Sequence, residues 1–183
     1  GKNIQLEFWL SEQGAPMYDL IYKNKPVIHP SSMGFELKRT MTDEALPQLK
    51  DGLTIISSTR SVSDTKWTPV WGDVKEIRDN YNQLSVNLSQ KGDNAIQFNI
   101  IFKVFDDGVG FRYEFPQQKN LGHFIVSAEK TEFHLTGDHK AFWIPGDYDS
   151  NEFSPNVTDL SEVNAEDPKY AANIFAHQFF DKE

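Results

Sequence analysis

The sequence predicts an all-β fold, a sandwich or barrel of short antiparallel strands. Three observations carry this. Apolar residues repeat with period two in several segments, Gly, Asn, Asp and Pro interrupt those segments at short intervals, and no long stretch follows the helical period. The aromatic share, 13% with 14 Phe, fits strands, whose pleated surface suits large side chains.

The elements follow in order. Ile4, Leu6, Phe8 and Leu10 fall on one side of a first strand, with Gln5, Glu7 and Trp9 opposite. Leu84, Val86 and Leu88 form a second alternating set. The clearest runs from Ile96 to Val104, where Ile96, Phe98, Ile100, Phe102 and Val104 share a face. Phe111, Tyr113 and Phe115 continue the pattern, and weaker versions surround Ile125 and His134. Turn chemistry separates them at 13–16, 23–26, 91–94, 106–108 and 136–138. Asp106-Asp107-Gly108-Val109-Gly110, between two strong patterns, predicts a hairpin. Only residues 161–180 suit a helix or irregular structure.

At 183 residues the chain has the length of one domain with a sizeable core. A formal charge of −9 argues against nucleic acid, whose phosphates need a basic face, and against an anionic membrane surface. No apolar run reaches the ~20 residues that span a bilayer, so membrane insertion is not expected. Without cysteine, neither disulfides nor thiol chemistry enter. No signal peptide is present, and a leader removed before Gly1 stays compatible with export.

The densest polar cluster is Asp147-Tyr148-Asp149-Ser150-Asn151-Glu152. Asp147, Asp149 and Asn151 match the first half of an EF-hand loop, but Glu152 stands where Gly is required and Thr158 where a bidentate Glu is required. Two readings remain: a turn of solvated acids after Pro145-Gly146, or oxygen ligands to an ion completed by other segments. Asp147, Asp149 and Glu152 also suit the carboxylate separation of a glycosidase, as many acid pairs do. The five histidines make no HxH or HExxH spacing, so zinc has little support. The glycines at 108 and 110 lack the helix and Lys of a phosphate loop. Trp67, Trp71 and Trp143 are candidates for stacking on sugar rings, although Trp67 and Trp71 are expected to anchor a loop on the core.

Four blocks then carry a resemblance: GAPMYDLIYKNKPVIHPSSMGFEL (14–37), DTKWTPVWGDVKEIRDNYNQLSVNL (64–88), FKVFDDGVGFRYEFPQQ (102–118) and GDHKAFWIPGDYDSNEF (137–153). In matching order, these resemble the N-terminal region of glycoside hydrolase family 97, the exo-acting α-glucosidases and α-galactosidases of Bacteroides-like bacteria. The resemblance implies a large antiparallel β-sandwich of the galactose mutarotase type over residues 1–183, incomplete at its C-terminal end. It would pack on a catalytic (β/α)8 barrel, followed by a small β-domain, both absent from this chain.

The resemblance further implies that the catalytic acids lie in the barrel, so none is assigned here, and that the fragment alone is inactive. An active-site Ca2+ is implied, with Glu152 as the one ligand from this segment and Asp147 and Asp149 as loop formers. The implied partners are the chain's own barrel and an α-linked oligosaccharide, and the implied compartment is the periplasm. The DYDSNEF and WTPVWG strings lean towards the inverting α-glucosidase branch. The alternatives are a stand-alone carbohydrate-binding module and a structural or assembly sandwich.

Overall fold

The computed structural model describes residues 3–39, 46, 48–144 and 155–164. The chain divides into two compact units, residues 1–136 and 137–183. All regular elements described are strands, apart from one 3-10 turn at Leu160–Glu162.

In the first unit, β1 (Ile4–Leu10), β2 (Pro16–Tyr22), β3 (Lys25–Ser32) and β10 (His134–Leu135) form one sheet in the order β1-β2-β3-β10. The β1–β2 turn is held by Ser11, whose carbonyl accepts from Gly14 N–H and whose Oγ accepts from Ala15 N–H. Gly14 has φ +77°, and a Cβ there would lie 2.7 Å from the Leu53 backbone nitrogen, so only glycine fits. Between β2 and β3, Lys23 and Asn24 both take positive φ, 47° and 63°, as a two-residue type I′ turn requires.

A second sheet runs β5 (Leu53–Trp67), β6 (Ile77–Gln90), β7 (Gln97–Val104) and β8 (Val109–Glu114), all antiparallel neighbours. The expected hairpin is present: Val104 pairs with Val109, and Phe105 N–H donates to Gly108 carbonyl across the turn. A short pair, β4 (Phe35–Lys38) with β9 (Ile125–Glu129), completes the unit.

The sheets face one another across a core that includes Tyr18, Met33, Phe35, Leu37, Leu88, Phe98, Ile100 and Phe102. Burying each large apolar side chain contributes about 1.5–3 kcal/mol. Phe98 and Phe102 are fully buried, as the even-position pattern of 96–104 predicts. Rings link the layers: Phe8 to Phe102 at 5.7 Å between centroids, and Phe35 edge-on to Tyr113 at 4.4 Å. The first unit is therefore an all-β sandwich, in agreement with the sequence prediction.

The second unit contributes β11 (Lys140–Trp143), β12 (Asn156–Asp159) and the 3-10 turn. Of the stretch expected to be helical or irregular, residues 161 and 162 belong to that turn, and 165–180 lie outside the described residues.

Candidate functional site

Glu152, Asp147 and Asp149 lie outside the described residues. What is described is the frame on either side of them. β11 and β12 pair antiparallel from Lys140↔Asp159 to Trp143↔Asn156, so Trp143 and Asn156, one on each side of the acid-rich segment in sequence, lie opposite each other. Lys140 Nζ meets Asp159 Oδ1 at 2.6 Å on the first rung. The Trp143 indole N–H donates to Thr158 Oγ1 at 3.1 Å, near the last. That bond satisfies the one polar atom of a half-buried tryptophan and favours packing within the hairpin over sugar stacking.

Below the hairpin, the Asp138 carboxylate accepts from Ser161 N–H at 2.8 Å and from the Ser161 hydroxyl at 2.7 Å. These bonds favour its charged form, so its pKa is lowered, first through the Ser161 hydroxyl. Leu160 N–H donates to His139 carbonyl, and Glu162 Oε2 accepts from Asp159 N–H, closing the 3-10 turn. The sequence reading passed over this clamp, because Asp138, Lys140, Asp159 and Ser161 carry no recognisable spacing. Only the pairing register brings them together.

Among the described residues no group of three or more His, Asp or Glu side chains is placed to hold a metal. His29, His123, His134 and His139 are all exposed, and His177 lies outside the described residues. In the Asp106–Gly110 string, Asp106 to Gly108 form the expected turn between β7 and β8, and Val109 and Gly110 open the strand β8 where a phosphate loop would have a helix.

The expectation that Trp67 and Trp71 anchor a loop on the core is overturned. Trp67 is 52% exposed and Trp71 88% exposed. Trp67 ends β5 opposite Ile77 of β6, and Trp71 lies in the connection beyond, so both sit far along a hairpin that the core does not reach.

The described residues thus form a β-sandwich in the first unit and, in the second, a hairpin clamped by Lys140–Asp159 and Asp138–Ser161. Residues 1–178 match the family Glycosyl-hydrolase 97 N-terminal, and the chain belongs to it. A glycoside hydrolase family 97 enzyme from Pseudoalteromonas sp. strain K8, solved as a variant with panose, is similar over 87% of this chain, with 31% identity and a TM-score of 0.76. The same enzyme with acarbose gives 31% identity over 85% of this chain and a TM-score of 0.74. A beta-arabinopyranosidase shares the fold at 22% identity and a TM-score of 0.67, covering 78% of this chain. This chain spans about a quarter of the first of these, 24% of its length, and 21% of the last. The matched family is thus that of the N-terminal region of family 97 glycoside hydrolases.

Proposed function

We propose that this chain is the N-terminal sandwich of an exo-acting α-glucosidase, which supports a catalytic (β/α)8 barrel and lends one carboxylate, Glu152, to an active-site calcium. The observation that carries the substrate class is the 31% identity to an enzyme bound to panose, a saccharide of α-linked glucose. The chain's own α-linked oligosaccharide is then cleaved by acids outside these 183 residues.

Calcium prefers six to eight oxygen ligands, so one glutamate suffices only as part of a set completed by the rest of the enzyme. A hairpin clamped by Lys140–Asp159 and Asp138–Ser161 supports this reading, because a shared ligand must be held in register with its partners. Bound there, the ion would supply Lewis-acid stabilisation of developing negative charge. The chain's part is to fix the position of the Glu152 carboxylate. The proposed compartment is the periplasm.

The test is hydrolysis by the full-length enzyme of α-glucosides and α-galactosides, with the product anomer followed by NMR. Faster turnover of α-glucosides with inversion is expected. A preference for α-galactosides with retention, or inactivity on both, would sink the assignment.

A further inference from the structure

The last three-stranded rung of the second sheet is Asn82↔Val104, yet β5 and β6 continue. Five further pairs, from Ser63↔Tyr81 to Trp67↔Ile77, join only these two strands. At about 3.4 Å per residue the ribbon projects roughly 17 Å beyond that rung.

An isolated two-stranded ribbon is marginal in water, and this one is stiffened at successive levels. At its foot the Tyr81 ring packs on Phe105 at 5.5 Å and lies under Lys103 Nζ at 3.9 Å. Higher up, Arg78 bonds Asp64 through two nitrogens, both at 2.7 Å, and Lys66 meets Glu76 at 2.6 Å. The end carries bare apolar side chains beside the charged Asp73 and Lys75: Val70 is 99% exposed and Trp71 88%, with Trp67, Val74 and Ile77 also exposed. A stiff, charge-compensated stalk with a bare apolar tip is what an anchor looks like before its socket is in place.

We propose that the Trp67–Ile77 tip docks on the part of the enzyme outside this chain. The inference rests on the reading that the chain is one region of a larger hydrolase. Two observations select this occupant. First, the similar enzymes are about four times longer than the matched region, so most of such a protein lies elsewhere. Second, the tip is small. Taking about 250 Å² for a fully exposed tryptophan and about 150 Å² for an aliphatic side chain, the five residues supply roughly 600 Å². Separate molecules need about 800 Å² per partner for a stable complex. A contact within one chain needs less, because the tether holds both surfaces at an effective concentration of about millimolar.

Hydroxyl-radical footprinting of the full-length enzyme, read at Trp67 and Trp71 by mass spectrometry, tests this against a free peptide of residues 66–77. The expected result is several-fold slower oxidation of Trp71 than in the peptide, unchanged on wide dilution and unchanged by added maltose. Peptide-like oxidation overturns the proposal. So does protection lost on dilution, which assigns the tip to a second copy, and protection gained only with maltose, which assigns it to sugar. The measurement needs no turnover. Inactivity on both glycoside classes would remove the α-glucosidase reading and leave the footprint standing, while an active enzyme with an unprotected Trp71 would remove the docking alone.

Discussion

Tyr113 and Tyr18 are large rings in the core whose hydroxyls reach polar partners at its edge. Tyr113 shares a 2.6 Å bond with Thr131 Oγ1, which in turn donates to Glu129 Oε1 at 2.7 Å. Tyr18 donates to the Glu132 carbonyl at 2.7 Å. Burial penalises the phenolate, with the Glu132 charge adding at Tyr18, and both pKa values are pushed up to about 12. The sign follows from linkage: above about 10 the unfolded chain releases protons that the folded chain still holds. This share of the stability is therefore complete below pH ~10 and is lost as pH rises towards 12. Urea midpoints measured at rising alkaline pH are expected to fall across that window, and Tyr113→Phe should flatten the fall. The alternation at 111, 113 and 115 already placed Tyr113 on a buried face. Its partner Thr131 was not legible, because it comes 18 residues later from another segment.

At the scale of elements, alternation was legible where one face of a strand meets the core, as in β1, β7 and β8, and illegible where it does not. β5 is the clearest case. Of its 15 residues only Leu53 is buried, so its sequence LTIISSTRSVSDTKW carries almost no apolar period. It is an edge strand, placed by its ladder to β6 rather than by its own pattern. Ile55 and Leu88 oppose one another in that ladder, yet Leu88 is 0% exposed and Ile55 45% exposed. Leu88→Ala is expected to cost about 2–5 kcal/mol, and Ile55→Ala well under half as much. Urea denaturation of the two variants checks this, and equal losses would mean that the edge of the sheet is covered. The short strands β11 and β12 were missed for a related reason: Phe142 and Val157 pair across the hairpin on an exposed face. That hairpin nonetheless carries the Lys140–Asp159 and Asp138–Ser161 clamp.

For the whole molecule, period-two patterning and turns sufficed for an all-β sandwich, because both are local properties of the chain. The family came instead from four long strings in order, and residues 1–178 match it. The candidate site was legible only in part. Resemblance alone names Glu152, which lies outside the described residues, whereas the clamp depends on residues 19 to 23 apart meeting through strand pairing. A ligand set divided between this chain and the rest of an enzyme leaves in any one segment only a lone carboxylate without metal spacing. The central claim, that Glu152 supplies one calcium ligand, is tested most directly in the full-length enzyme. Glu152→Gln keeps the shape and removes the charge, and activity is then titrated against free calcium. The account predicts that half-maximal activity needs at least about tenfold more calcium, the loss typical of a weakened metal shell, with lower turnover at saturation. Unchanged turnover at an unchanged calcium requirement would contradict it.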